Sequence, residues 1–397
     1  MRVAVIGGAG HVGLPLAAVL AEVGHEVVAI DSNRERLQTI AAGKSPFHEP
    51  GLDELLQPVL DRRRLTLEEQ FSAVDGCDLV FIVVGTDLKD DETPQNESVF
   101  EVVRSVRQHL SPSSVVVLRS TVTPGTTAQV ADLLDGVAAD VVFCPERIAE
   151  GHAIEELRIM PQLVGTRTSE VPEYVRSAFS SMGVEVLAMT WKEAELSKLF
   201  LNAWRYAQFA VANEFANICE SHDVSYSNLR ASLLYRYPRG LGLMAPGFAG
   251  GPCLRKDTIQ LVKSTFVQSE LLQAVLQSHE SLISRVVDLV QKEVVDSNKT
   301  VVQLGLTFKP DSDDLRGSVA LDLARRLSGS VKRFYVVDPH VEQFGEFTFL
   351  SADQVSEIAD LVVIATRHSD FLGVSVRVPV IDASGPRLLN EFETGVS

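Results

Sequence analysis

The chain has 397 residues, enough for two or three domains that each bury a core. Its 36 basic and 53 acidic residues leave a net charge of −17, which argues against general nucleic-acid binding and requires any anionic ligand to be met by a local basic cluster. The four cysteines, Cys77, Cys144, Cys219 and Cys253, form no CxxC pair and no zinc spacing, so neither a disulfide framework nor a bound metal is expected. No apolar run approaches the roughly 18 residues of a membrane span. Met1 and Arg2 lead straight into a strand pattern without the long apolar stretch of a leader, so the expectation is a soluble, cytoplasmic protein.

In chain order, Arg2 to Ile6 reads as a strand, Gly7 to Gly13 as a glycine-rich turn and Leu14 to Val23 as a helix. Glu26 to Ile30 reads as a second strand ending at Asp31, completing a βαβ unit. The apolar runs "LVFIVV" (79–84), "SVVVLRS" (114–120) and "DVVFC" (140–144) alternate with helical patterns, which predicts a parallel sheet covered on both faces. This first domain is expected to span 1–189. From Val184 to Tyr237 there is neither Gly nor Pro, and Glu193 to Glu220 keeps an apolar face at helical spacing. One long helix is predicted there, with Thr190 and Glu193 as its capping box. A second stretch free of Gly and Pro, Cys253 to Leu304, reads as helical to about Val295, so 190–297 forms a central helical domain. A third domain, 298–397, opens with "VVQLG", a polar loop, the helix "SVALDLARRL" and the strand "RFYVVD" ending in Asp338. Its "ADLVVIAT" (359–366) echoes "CDLVFIVVGT" (77–86). The predicted fold class is α/β: two Rossmann-like, doubly wound parallel-sheet domains joined by an all-helical domain with a long spine helix.

Gly8, Gly10 and Gly13 give the GxGxxG spacing between a predicted strand and a predicted helix, where the backbone can approach a pyrophosphate at the helix N-terminus. Asp31, 18 residues after Gly13, is placed to accept hydrogen bonds from a ribose diol and to repel a 2′-phosphate, so NAD is the expected cofactor. At the other end of the chemistry, Cys253 stands in "APGFAGGPCLRKDT" between a glycine-rich loop and a helix beginning near Leu254. The helix dipole together with Arg255 and Lys256 favours the thiolate. The other three cysteines lie on apolar segments and read as inert buried thiols. Asp257 shares a helical face with Cys253, and Lys198 shares one with Asn202. Asp257 could orient a water, and Lys198 with Asn202 could stabilise an alkoxide. Read alone, Asp257 is also what a helix N-terminus carries, and Lys198 and Asn202 are what a solvated helix face carries.

The segments "GHVGLPLA", "STVTPGTT", "PERIAEG", "ELSKLFLNAWRYAQFAVANE", "PGFAGGPCLRKD", "GLTFKPDSDDLRGS" and "VIATRHSDF" resemble, in this order and over nearly the whole chain, the UDP-glucose/GDP-mannose dehydrogenase family. The resemblance implies an NAD-dependent oxidation of the C6 alcohol of a nucleotide sugar to the uronate, through a thiohemiacetal and then a thioester on Cys253. It implies Thr121 as holder of a catalytic water, Glu146 as acid or base near C6 with Glu150 close by, Lys198 and Asn202 as oxyanion stabilisers, and Asp257 as a partner in water activation. At the cofactor it implies His11, Val12, Thr86, Thr121 and Arg316 besides the glycines and Asp31. For the substrate it implies Arg239, Gly250 and Lys309 in addition to Glu146, Glu150, Lys198 and Asn202. It also implies at least a homodimer built on the long helix. "PERIAEG" and "YPR" look more like the UDP-N-acetylhexosamine branch than the UDP-glucose branch. Three positions depart from the family's pattern: Asp87 and Val319 where Pro is usual, and Gly317 where Glu is usual. Two other readings stand beside this one. A single-hydride dehydrogenase of the hydroxyacid type leaves the Cys253 loop and the third domain unexplained. A catalytically silent nucleotide-sugar-binding protein leaves the retained catalytic set unexplained.

Overall fold

Successive residues of the opening strand serve two different cores. Val3 and Val5 pack in one apolar layer, Ala4 and Ile6 in another on the opposite face. That is the signature of a sheet buried on both sides. The computed structural model describes residues 1–138, 140–265, 267–294, 298–371, 375–383, 388–389 and 392–393. By packing, the chain divides into two compact units, 1–201 with 263–266, and 202–262 with 267–397.

The first unit is built on eight strands: β1 (Arg2–Ile6), β2 (Glu26–Ile30), β3 (Leu65–Glu68), β4 (Leu79–Ile82), β5 (Val115–Leu118), β6 (Asp140–Phe143), β7 (Gln162–Thr166) and β8 (Val186–Thr190). They lie in the order β3-β2-β1-β4-β5-β6-β7-β8, parallel except at the β6–β7 bridge. The first six follow the doubly wound dinucleotide-binding order. Strands β3, β7 and β8 were not anticipated. β3 and β8 are edge strands: β3, "LTLE", alternates with polar residues, and β8, "VLAMT", is apolar but short and largely exposed. Just past β1, Gly7 has φ +82, and its amide donates to the Ile30 carbonyl (2.9 Å). A Cβ there would lie 2.4 Å from the Val83 carbonyl oxygen, so only glycine fits. The Asp31 carboxylate accepts the Ala9 amide (3.0 Å), tying the end of β2 to the glycine turn ahead of helix α1 (Gly13–Glu22).

The second unit repeats this construction. Strands β9 (Thr300–Leu304), β10 (Arg333–Val337), β11 (Leu361–Ile364), β12 (Ser375–Val376), β13 (Val380–Asp382), β14 (Leu388–Leu389) and β15 (Phe392–Glu393) form a five-stranded sheet ordered β10-β9-β11-β13-β14 and a small β12–β15 pair. Gly305, at φ +87, donates to the Val337 carbonyl (2.8 Å), and a Cβ on it would lie 2.5 Å from Thr366. Asp338 accepts the Leu306 amide (2.7 Å), as Asp31 accepts that of Ala9. The expected internal repeat is therefore present down to its hydrogen bonds.

Between the two sheets in sequence run α2 (Trp191–Ser221), α3 (Tyr226–Leu234), α4 (Leu254–Ser264) and α5 (Glu270–Glu293). The 31 residues of α2 open with the expected capping box: the Thr190 amide donates to the Glu193 carboxylate (2.7 Å), and the Glu193 amide to the Thr190 hydroxyl (3.4 Å). These bonds and the neighbouring hydroxyl hold the Glu193 carboxyl below the usual carboxylate range. The continuous helix expected from Cys253 to about Val295 is instead two helices with a break between Ser264 and Glu270. Thr265, Val267, Gln268 and Ser269 stand in this break, and short hydroxyl side chains compete with helical hydrogen bonding.

In the packing of α2 against α5, the His279 ring stacks on Tyr206 (centroids 3.8 Å apart), and its Nε2–H donates to the Tyr206 carbonyl (3.1 Å). Burial lowers the His279 pKa from 6.5 to about 4 and pushes that of Tyr206 well above the usual phenol value. The folded state thus excludes a proton that the unfolded chain accepts below pH 6.5. His279 contributes its full stabilisation above that pH and loses it progressively as pH falls toward 4, by roughly 3 kcal/mol over the window. Unfolding monitored from pH 7 to pH 4 should show this loss, and His279→Gln should flatten it. An unchanged slope in the variant would contradict the assignment.

Candidate active site

In the first unit the candidate residues stand on loops that leave the C-terminal ends of parallel strands, where such sheets bind ligands. The glycine turn is shaped for close approach. A Cβ on Gly13 would lie 2.1 Å from the Gly7 carbonyl oxygen, and one on Gly8 would lie 2.7 Å from Ala29. No side chain caps the N-terminus of α1 and no acid stands in its first turn, which leaves that end suited to a pyrophosphate. His11, within the turn, stacks on Phe47 (4.0 Å) and lies 4.0 Å from the Glu150 carboxylate. Val12 is the N-cap residue of α1. Asp31 spends one oxygen on Ala9 and the other on Asn33 (3.0 Å each), so a ribose diol would have to share it with backbone amides. Thr86 donates its hydroxyl to the Thr121 carbonyl (2.5 Å), joining the loops after β4 and β5.

Glu146 follows β6 and is nearly buried. Its Oε2 accepts the Nε–H of the fully buried Arg119 (2.5 Å), and its Oε1 accepts the amides of Arg147 (2.6 Å) and Ile148 (2.8 Å). Both terminal nitrogens of Arg119 donate to the Gln162 side-chain Oε1 (3.1 Å each). Three of the roughly four acceptor positions of the carboxylate are thus filled from within. Arg119 and Gln162 were invisible as site residues in the sequence, because a charge inside "SVVVLRS" belongs by period to a strand. Two more carboxylates hold neighbouring loops. Glu49 accepts the amides of Gly151 and Ala153 (2.8 Å each), and Glu195 accepts those of Gly125 (2.6 Å) and Thr127 (2.8 Å). Lys198 lies on α2 one turn before Asn202.

In the second unit Cys253 immediately precedes α4 and is exposed, whereas Cys77, Cys144 and Cys219 are buried. Burial pushes the Cys77 thiol up to about 11 and that of Cys144 to about 12. Asp257 is wholly buried. Its Oδ2 accepts the Asn202 side-chain amide (2.5 Å), while its Oδ1 accepts no hydrogen bond among the described residues and lies 3.5 Å from the Lys256 ammonium. Sequence spacing paired Lys198 with Asn202 and Cys253 with Asp257. The fold adds the Asn202–Asp257 bond across 55 residues. The Arg239 guanidinium lies over the Tyr237 ring (5.4 Å), the Lys309 ammonium over Phe308 (5.6 Å), and Arg316 pairs with Asp314 through two nitrogens.

Gly250 is pressed against Phe308 and Gly317. Of the departures, Gly317 has a physical reason: φ is +61, and a Cβ would lie 2.6 Å from the Gly251 carbonyl oxygen. Val319 starts helix α6 (Val319–Ser328), which keeps the Ser318 side chain as its cap. Asp87 is exposed, and nothing in the structure explains it. Asp311, His340 and His368 bring ligand-type atoms within 4.8 Å of one another. However, His368 Nδ1 accepts the Asp311 amide (3.0 Å) and its Nε2 faces Asp338 (3.2 Å), so this ring ties loops together rather than offering a lone pair. Burial opposes ionisation of Asp338, but the bonds from His368, Leu306 and His340 outweigh it and hold its carboxyl below the usual range.

Comparison with known proteins matches residues 1–182 to the UDP-glucose/GDP-mannose dehydrogenase family, NAD binding domain, residues 192–281 to its central domain and residues 302–383 to its UDP binding domain. The UDP-N-acetyl-D-mannosamine dehydrogenase of Campylobacter jejuni is 30% identical over 396 residues, covering 92% of this chain and 95% of that protein. The GDP-mannose 6-dehydrogenase of Pseudomonas syringae pv. syringae is 30% identical, covering 97% and 96%. Among solved structures, UDP-D-ManNAc dehydrogenase from Pyrococcus horikoshii superposes with a TM-score of 0.89 at 28% identity, over 100% of this chain and 97% of that one. No helix among the described residues is long and apolar enough to cross a membrane.

The burial pattern predicts that the native protein reacts with one equivalent of Ellman's reagent, at Cys253, and with four after denaturation in guanidinium. Rapid reaction of a second native thiol would contradict it.

Proposed function

This chain belongs to the UDP-glucose/GDP-mannose dehydrogenase family, and from that premise we propose that it oxidises the C6 alcohol of a UDP-N-acetylhexosamine to the uronate, with Cys253 as the covalent nucleophile. It is an NAD-dependent oxidoreductase of nucleotide sugars. We place UDP-N-acetylmannosamine or UDP-N-acetylglucosamine ahead of UDP-glucose, a choice supported by the segments "PERIAEG" and "YPR" and by the names of the Campylobacter and Pyrococcus relatives. We read 1–189 as the NAD domain, 190–297 as the helical domain and 298–397 as the domain that holds the nucleotide of the substrate.

The observation that carries the reading is the exposed Cys253 at the start of α4 together with the buried Asn202–Asp257 pair. Bound NAD supplies the hydride acceptor for each of the two oxidations. In the first, the C6 hydroxyl gives up its proton to a base or ordered water, with Thr121 holding the water and Glu146 and Glu150 as the nearby carboxylates, and the carbon becomes an aldehyde. The Cys253 thiolate then adds to that carbonyl, forming a C–S bond and an oxyanion that Lys198 and Asn202 stabilise. Loss of the second hydride turns the thiohemiacetal into a thioester. Water, oriented by the open Oδ1 of Asp257, attacks the thioester, the C–S bond breaks and the thiolate returns. A thiolate suits both steps because it forms more readily than an alkoxide at neutral pH. His11, Val12, Thr86 and Arg316 are assigned to the cofactor, and Arg239, Gly250 and Lys309 to the substrate.

We also propose that the functional form is at least a homodimer. Leu201, Trp204, Val211, Phe215 and Ile218 are exposed on α2 at alternating three- and four-residue spacing across Gln208, a seam that a second copy of the same helix could cover.

The test is to incubate the protein with NAD and UDP-N-acetylmannosamine, UDP-N-acetylglucosamine, UDP-glucose, UDP-galactose or GDP-mannose, counting NADH and acid formed per sugar. Two NADH per uronate are expected, with no uronate from Cys253→Ala even though it still binds the sugar nucleotide. One NADH and an uncharged product would establish the single-hydride alternative, and binding without turnover the silent scaffold. For the dimer, Trp204→Glu with Val211→Glu should halve the mass seen by light scattering. A wild type that is already monomeric would refute that assembly.

A further inference from the structure

The loop that carries Cys253 is held from both sides within the second unit. On one side, the Asn213 side chain of α2 pairs with both backbone groups of a single loop residue. Its Nδ2 donates to the Gly247 carbonyl (3.0 Å) and its Oδ1 accepts the Gly247 amide (2.7 Å), with Gly247 at φ +149. On the other side, the Gly251 amide donates to the Gly317 carbonyl (2.9 Å), two residues before the nucleophile. Both ends of that bond need a bare Cα. A Cβ on Gly251, at φ +97, would lie 2.7 Å from the Phe308 ring, and one on Gly317 would lie 2.6 Å from the Gly251 carbonyl oxygen and 2.9 Å from its carbon.

The 305–318 loop is itself firmly held. Ser318 donates its hydroxyl to the Leu306 carbonyl (2.5 Å), the Phe308 amide donates to the Asp314 carbonyl (3.2 Å), and His368 receives the Asp311 amide. The same loop carries Lys309, whose ammonium lies over the Phe308 ring that packs on Gly251. It also falls in the span matching a UDP binding domain.

We propose that Gly317 is a positioning residue for Cys253, and that its contact with Gly251 makes the placement of the nucleophile depend on the nucleotide held by the 305–318 loop. The proposal rests on the reading of Cys253 as nucleophile and Lys309 as a diphosphate contact. A diphosphate that draws the Lys309 ammonium off the Phe308 ring changes what the ring presents to Gly251, and the shared hydrogen bond carries the change to the start of α4. UDP without a sugar has nothing to place at the thiol, so an effect of UDP on Cys253 reports the loop contact.

The full-length protein is alkylated with iodoacetamide, and the rate at Cys253 is followed by peptide mass spectrometry with and without UDP, alongside kcat and KM for the sugar nucleotide. In the wild type, UDP should change the Cys253 rate severalfold. Gly317→Ala and Gly317→Asn should both lose that effect and lower kcat by roughly 10–100-fold, the consequence of a nucleophile misplaced by about 1 Å, while the affinity for UDP measured by calorimetry changes little. Asn tolerates a positive φ but not the close approach, so agreement of the two variants assigns the effect to the contact. Gly24→Ala, at φ +102 with nothing within 4 Å, introduces backbone strain alone and should leave the UDP effect intact. A UDP effect retained in both Gly317 variants, or no UDP effect in the wild type, overturns the proposal. If no sugar nucleotide is oxidised but UDP still acts on Cys253 through Gly317, the proposed reaction fails while the coupling stands.

Discussion

Each Rossmann-like fold here depends on one close approach at the end of its first strand. Gly7 and Gly305 sit with left-handed backbones against the chain that leaves the neighbouring strand, at distances no side chain tolerates. An aspartate at the end of the next strand, Asp31 or Asp338, receives an amide from the turn that follows. The ends of adjacent parallel strands are thereby fixed relative to one another before any ligand arrives. Every candidate site residue on a βα loop, from Gly8 to Thr86 in one unit and from Lys309 to Arg316 in the other, inherits its position from that clamp.

The acidic balance of the chain takes on meaning at the same level. Several of its carboxylates are buried and serve as internal acceptors for loops that expose backbone amides: Glu49 for 151–153, Glu195 for 125–127, Glu146 for 147–148 and Asp257 for the Asn202 side chain. Such groups are stabilising only while their partners remain. Removing one partner of a buried pair such as Arg119–Glu146 typically costs about 3–5 kcal/mol. Rigidity of the loops is therefore tied to complete hydrogen bonding, which is also what holds catalytic groups in one geometry.

Much of the organisation was legible in the residues. The two βαβ openings, the long α2 with its Thr190–Glu193 box, the start of α4 at Leu254 and the burial of Cys77, Cys144 and Cys219 all follow from local rules, namely period, capping and side-chain polarity. Less was legible where local signals are weak. The break between α4 and α5 depends on a few hydroxyl and β-branched residues without a Gly or Pro to mark them. The edge strand β3, "LTLE", lacks the continuous apolar run of a buried strand, and β8, "VLAMT", is a short apolar run that by itself does not distinguish a strand from a helix.

By itself the sequence determined the α/β class, the glycine turn with its acidic partner, and the one cysteine at a helix start, because each is a property of neighbours along the chain. The resemblance carried by its motifs extended this to the family and its candidate residues. Only the tertiary structure decided the pairings across long separations: Arg119 with Glu146 and Gln162, Asn202 with Asp257, Asn213 with Gly247, and Gly251 with Gly317. The reason is physical. A buried polar group must find its partner wherever packing brings one, and a glycine required by a close approach can be understood only when the atoms it must avoid are in place.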